Sequence, residues 1–402
     1  MVRAHEYAGF LRSHEYARRA YFLLVAALSL VIFPGLIYGQ GYVQANLTSD
    51  GFVTANFIDT DLVNPWGLVQ SPTSPFWSSD QATGLSTLHT GAGSKLGLTV
   101  TVNTATPPPP PNGPSGVVFN SGTGFVVTST AKTGASLFLF SDLNGNVYGW
   151  NGGMGNTMAD VGATVSHGVL TGLAITPTAS DIYVSNFTPT GGILEFDSNW
   201  KPIATTFVDA SLPAGYEPYN VEDINGTLFV AYEPINTTPG PSFGHPLQGL
   251  GNGVIAEVVA ATGNSYLLKN LITDGNLDDP WGMVIAPSDF GKFSNDLLVG
   301  NFGNGTINAY DPMTGAFKGT IETLGGDDIT NEGLWALVFG NGSAGTSKNT
   351  LYLTAGLNNE QDGLLAEINP IPEPASLLLF GTGLLIVGGI VRRRRAAAHA
   401  AL

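Results

Sequence analysis

A hexapeptide, Asn64-Pro65-Trp66-Gly67-Leu68-Val69, returns as Asp279-Pro280-Trp281-Gly282-Met283-Val284, and a chain that repeats itself folds as an array of like units. Weaker copies are Asn112-Gly113-Pro114-Ser115-Gly116-Val117-Val118, His167-Gly168 leading to Thr171-Gly172-Leu173-Ala174-Ile175, Glu217-Pro218-Tyr219-Asn220-Val221, and Glu332-Gly333-Leu334-Trp335-Ala336-Leu337. Anchored at positions 64, 112, 168, 217, 279 and 332, the units lie 48, 56, 49, 62 and 53 residues apart. Between them no segment has the apolar spacing of a long amphipathic helix, while short strand-like runs broken by Gly and Asn are frequent. Six such units predict an all-β, six-bladed β-propeller over residues 40–370.

The fifth unit shows the blade most clearly. Trp281–Ala286 reads as the inner strand and Asp296–Asn301 as the second. Asn304-Gly305 turns the chain into Thr306–Tyr310, and Phe317–Ile321 is the outer strand. Asn-Gly serves because both residues tolerate the positive φ of a tight hairpin. The sixth unit stops after a third strand, Leu364–Ile368. Its fourth strand is expected from the other end of the chain: Ala45–Gly51 repeats Lys269–Gly275, the outer strand of unit four, so Tyr42–Leu47 should close the ring. Closure of this kind removes an exposed sheet edge. Two departures from the period are read as loops. Thr104–Pro111, with five consecutive prolines, is a stiff connector, and Glu233–Asn252 is an insertion in blade four that covers one mouth.

The two ends differ from the middle. Residues 1–39 carry four arginines and then the apolar run Ala20–Phe33, broken by Pro34-Gly35, which reads as a secretory signal peptide. At the other end Pro372-Glu373-Pro374 precedes an apolar stretch, Leu377–Val391, and then Arg392, Arg393, Arg394 and Arg395. That stretch is at the lower length limit for a transmembrane helix, and the arginines would hold its end in the cytoplasm. Between residues 40 and 391 there is no arginine, and seven lysines face 29 carboxylates, a net charge of −22. Such a field repels nucleic acid and anionic lipid, and the chain has no cysteine for disulfides, thiolate metal sites or thiol catalysis.

The tripartite end over residues 371–402 resembles the PEP-CTERM sorting signal, with Pro372, Glu373 and Pro374 matching its motif. That resemblance implies export across the inner membrane, anchoring by the C-terminal helix before processing, and an exosortase as the partner that handles the tail. It also implies a cell-surface or extracellular setting in biofilm-forming, exopolysaccharide-producing bacteria. The inner-strand phrase, Asn-Gly turn and Ala309-Tyr310-Asp311 strand resemble NHL and SMP-type propellers. Taken together, the chain resembles an uncharacterised family of PEP-CTERM-associated propeller proteins, which implies a fold and a location.

Residues just before inner strands gather at one mouth of a propeller: Asn64, Asn112, His167, Glu217, Asp279 and Glu332. Resemblance to SMP-type enzymes implies a divalent ion there that activates water for lactone or ester hydrolysis. Oxygen ligands suit Ca²⁺, and Asn64, Glu217, Asp279 and Glu332 are the candidate set. The same residues serve equally as strand caps bonded to local amides. Trp66, Trp281 and Trp335 occupy equivalent places, either packing between blades or forming an aromatic platform for sugars. Gly340-Asn341-Gly342-Ser343-Ala344-Gly345 matches a nucleotide-binding glycine pattern, but no helix pattern follows, so it reads as a turn. No Gly-x-Ser-x-Gly elbow is present, which argues against a serine hydrolase. The expectation is therefore a binding or structural module of the envelope or exopolysaccharide matrix that needs no cofactor and takes a glycan or protein partner. The alternative is a divalent-metal-dependent, lactonase-like hydrolase.

Overall fold

The repeat phrase becomes the innermost strand of each blade: Pro65–Val69, Pro114–Phe119, Leu170–Ile175, Tyr216–Ile224, Pro280–Ile285 and Leu334–Phe339. A computed structural model describes residues 41–371 except 104–111, 130–131, 156, 209–210, 241, 243, 261–264 and 274. The expected signal peptide, proline connector and C-terminal tail lie outside the described residues. Six sheets of four or five strands account for the six units. In blade five the observed strands, Pro280–Ile285, Leu297–Asn301, Ile307–Tyr310 and Phe317–Thr320, lie within a residue of the expected bounds. Among the described residues no helix is long and apolar enough to cross a membrane.

The conserved spacing of the phrase has a steric cause. The third residue of the inner strand is Gly67, Gly116, Gly172 or Gly282 in four blades, and each faces the inner strand of the next blade. A Cβ on Gly282 would lie 2.4 Å from the Trp335 carbonyl oxygen, and one on Gly116 would lie 2.7 Å from Leu173. Blade four has Asn220 in the equivalent place, and its Nδ2 donates to the Trp281 carbonyl at 2.8 Å, joining the two blades by a hydrogen bond. Away from the channel, apolar side chains fill the wedges between blades. Trp77, Val100, Phe138, Tyr148 and Trp150 do so between blades one and two.

The ring closes as the sequence implies. Tyr42–Ser49 pairs antiparallel with Asp362–Pro370, with Tyr42 opposite Pro370 and Ser49 opposite Leu364. The Tyr42 hydroxyl donates to the Phe290 carbonyl at 2.9 Å, its ring stacks at 6.0 Å on Phe293, and burial pushes its phenol up to about 12. Two parallel edge strands are additions that no sequence period announces: Phe57–Ile58 extends blade six and Thr206–Val208 extends blade four. Behind Phe57–Ile58, buried His89 contacts Asp59 at 3.0 Å, and Lys95 bridges Asp59 and Asp61 at 2.6 Å each. Burial raises Asp59, but its bonds to His89 and Lys95 outweigh that and hold it below the usual carboxylate range.

Candidate functional site

At the mouth where inner strands begin, the chain turns sharply inward. Asn64, His167 and Asp279 take φ of 47°, 58° and 51°, the left-handed region that Asn and Asp tolerate better than most residues. Three of the six repeat anchors share this turn, whereas Asn112, Glu217 and Glu332 do not take it. Their side chains then go separate ways.

Asn64 is buried and fully used. Its Nδ2 donates to Gln81 Oε1 and Glu360 Oε2, both at 2.8 Å, and its Oδ1 accepts from Trp335 Nε1 at 2.9 Å. Asp279 is also buried, beside Glu233. Glu217 lines a separate hollow with Gly192 and Thr206, between blades three and four. Glu332 is exposed and accepts from the Asn359 amide at 2.9 Å. The four candidate ligands do not converge, and among the described residues no three His, Asp or Glu side chains form a group able to hold a metal. Asn112 uses its carbonyl to accept from Asn103 Nδ2 at 2.7 Å and Asn144 Nδ2 at 3.2 Å, as a local cap would.

Trp66, Trp281 and Trp335 neither fill wedges between blades nor form an open platform. They meet on the channel axis, Trp66 stacked on Trp335 at 3.7 Å and Trp281 edge-on to Trp335 at 5.7 Å, with exposures of 5%, 2% and 0%. Tyr219, the equivalent residue of blade four, joins them 6.1 Å from Trp335. Ser115 and Thr171 complete the ring of second positions, and the Thr171 carbonyl accepts from Trp281 Nε1 at 3.0 Å. The four rings plug the channel because four inner strands each send one large side chain to the axis.

Above the plug lies a cavity of about 850 Å³. Its floor and walls are Trp66, Phe187, Tyr219, Phe302, Leu143 and Glu360. The blade-four insertion closes over it with Asn236, Ser242, His245, Leu247 and Gln248. The insertion is fastened at both roots to blade five. Gly251 N donates to the Leu277 carbonyl at 2.8 Å, Gly249 N donates to Asp278 Oδ1 at 2.9 Å, and Glu233 faces Asp279. The four carboxylate oxygens of Glu233 and Asp279 have no close protein donor although both side chains are buried, and Gln248 acts on Asp279 from the insertion, lowering it. Two such groups can hydrogen-bond each other only by sharing a proton. Burial, then the Asp279 charge, drives Glu233 well above the usual range, so the pair as a whole resists losing its proton. Burial raises Asp279 to about 6, with Glu233 pulling it down and Asp278 pushing it up.

Glu360 brings a further, half-buried carboxyl to the mouth. It ends a turn in which Asn358, Asn359 and Glu360 have successive φ of 53°, 53° and 66°. Left-handed backbone costs about 1–2 kcal/mol per non-glycine residue, so three in a row are an unusual expense of local strain. The turn delivers Glu360 to the cavity wall, where Asn64 holds its Oε2 and His245 faces it from the insertion. Burial raises Glu360, while the Asn64 bond and His245 oppose the rise. Tyr219, between these groups, is raised by burial and then by Asp279, Glu360 and Glu233.

Glu233, Glu360 and Gln248 were not expected from sequence, since none belongs to the repeat phrase. One signal was present for Tyr219, which follows Pro218 as Trp66 follows Pro65.

Residues 370–395 match the PEP-CTERM protein-sorting motif. The C-terminal segment is a PEP-CTERM sorting signal. It marks an exported, surface-sorted protein of the kind processed by an exosortase, and it includes Pro372, Glu373, Pro374 and Arg392–Arg395. Over most of its length this PEP-CTERM propeller is also similar to two uncharacterized proteins of Acanthamoeba polyphaga mimivirus. One is 27% identical over 81% of this chain and 79% of its own, the other 26% identical over 80% and 84%. Two solved structures share the fold at 10% identity. An auxiliary nutrient binding protein from Bacteroides ovatus gives a TM-score of 0.52, covering 83% of this chain and 78% of that one. A protein of unknown function from Bacteroides thetaiotaomicron gives 0.50, covering 83% and 76%.

Proposed function

We propose that this PEP-CTERM propeller is a surface-sorted binding module that holds a small ligand in the mouth cavity. The observation that carries the reading is a room of about 850 Å³, walled by aromatic rings and roofed by an insertion anchored at both ends. Ligand sites are concave and mostly apolar, with a few placed polar groups, and this cavity has that make-up. The sorting signal supports a role in the envelope or the exopolysaccharide matrix, where the occupant is a matrix component, a free sugar or another small solute. A thermal-shift screen of amines, sugars and carboxylates tests the reading, because a ligand bound only by the native state raises Tm. Thr188 lines the cavity and is half-buried, so Thr188→Trp fills the space with little disturbance to the core. Hits that vanish in T188W support the cavity. No hit, or hits that persist in T188W, would overturn it.

The second reading is a divalent-cation site, with or without hydrolysis. One observation favours it: the four carboxylate oxygens of Glu233 and Asp279 have no protein donor. Oxygen ligands of this kind suit Ca²⁺. Asn64, Glu217, Asp279 and Glu332 do not form such a site together, because Asn64 is bonded to Glu360, Glu217 lines a separate hollow and Glu332 is exposed. Millimolar Ca²⁺ or Mn²⁺ should raise Tm if the pair binds either ion, and Asp279→Asn should abolish the rise. Unchanged melting with both ions removes this reading.

A further inference from the structure

We infer that the mouth cavity is built for an organic cation, an ammonium carried on an apolar body. The inference rests on the binding-module reading and names its ligand class. Three features of the cavity point the same way. Trp66, Phe187, Tyr219 and Phe302 supply aromatic walls, and π faces attract ammonium groups, more strongly where water is excluded. Glu360 supplies the counter-charge, held in place by Asn64 Nδ2 at 2.8 Å. Among the described lining residues there is no lysine or arginine, and His167 and His245 are the bases that face the space.

The surroundings reinforce the sign. Asp279 acts on Tyr219 through its charge, and Asp278 acts on Asp279 in turn. An anion entering the cavity would meet this field with no basic side chain of fixed charge to receive it. A neutral solute of the same shape would gain the apolar contacts alone. A cation gains both the contacts and the field, so the cavity discriminates by charge at constant shape.

The test uses three solutes of nearly one shape: choline, the neutral 3,3-dimethylbutan-1-ol, and the anionic 3,3-dimethylbutanoate. Each is titrated into the full-length protein at pH 8 and followed by calorimetry and Trp fluorescence. Choline should bind at least about tenfold more tightly than the alcohol, the ratio expected of a desolvated cation–π contact assisted by a carboxylate. Glu360→Gln should reduce that ratio to about threefold or less while leaving the alcohol's affinity unchanged. Thr188→Trp should abolish binding of all three. If the alcohol or the carboxylate binds as well as choline in a T188W-sensitive manner, the cation inference falls and the binding-module reading stands. If none of the three binds, the cation inference falls as well, and the wider screen decides the module reading. Should E360Q fail to fold, the choline-to-alcohol ratio in the unaltered protein still decides between cation and neutral ligand.

Discussion

The buried Glu233–Asp279 pair makes the stability of this propeller fall as pH rises, and replacing Glu233 with Gln should remove that slope. Both side chains are fully buried and face each other, and Glu233 is raised well above the usual carboxylate range, so the folded pair keeps a proton more readily than the unfolded chain does. In the unfolded chain Glu and Asp have lost their protons above about pH 5. The folded value of Glu233 is raised, so its contribution to stability is complete below the unfolded value and is lost as pH climbs towards the folded one. For each proton that the folded pair keeps and the unfolded chain has released, a pH unit in that window costs on the order of 1 kcal/mol. In Glu233→Gln the amide cannot ionise and donates to the Asp279 carboxylate, so this part of the slope disappears. Asp80, raised to about 7 by burial, and Glu222, raised to about 8 by burial, add slopes of their own. The difference between the two proteins therefore isolates the pair. Urea unfolding at pH 5, 6, 7 and 8 should give similar stabilities at pH 5 and a variant about 2 kcal/mol the more stable at pH 7. Parallel pH profiles would refute the shared proton.

Three further outcomes follow from the packing. Gly282→Ala should cost about 1–3 kcal/mol, because its Cβ meets the Trp335 carbonyl backbone at 2.4 Å, whereas Gly97→Ala, with nothing within 4 Å, should be neutral in the same melt. Deleting residues 41–50 removes the strand that closes blade six and should lower the melting temperature of the whole ring; a truncated protein that melts like the intact one would disprove closure. His89→Leu leaves Asp59 without its buried partner and should cost about 1–3 kcal/mol in denaturant unfolding, and a loss below about 0.5 kcal/mol would remove the network from the account of stability.

The fold was legible because its signals are local and repeated. Pro-Trp-Gly marks the inner strand, since the proline sits at the channel edge and the glycine must let the next blade approach. Asn304-Gly305 marks a hairpin for reasons contained in two residues. Closure was legible only because Ala45–Gly51 copies Lys269–Gly275. The edge strands Phe57–Ile58 and Thr206–Val208 are too short to carry a period, and their pairing depends on where the neighbouring strand ends. The site was far less legible. Asn64 and Glu360 are 296 residues apart and meet because the ring closes. The anchor positions are alike in sequence spacing, but only Asn64, His167 and Asp279 share the left-handed turn and their side chains take different partners, so a ligand set chosen from the repeat picked residues that diverge. The three tryptophans were recognised as equivalent, but equivalence around a ring places them on its axis, where they meet one another before any sugar.

The position of the chain ends sets the closure of the ring apart from the mouth. The Ile371 amide donates to the Gly41 carbonyl at 2.9 Å, so the chain enters and leaves the ring at one point. That point lies beside Phe290 and Phe293, in the loop that follows the inner strand of blade five, at the face opposite the roofed cavity. A cut beyond Ile371 leaves this hydrogen bond and the pairing of Tyr42 with Pro370 within the ring. Gly41 and Ile371 are both absent from the cavity lining, so closure of the ring and occupancy of the mouth can be perturbed separately.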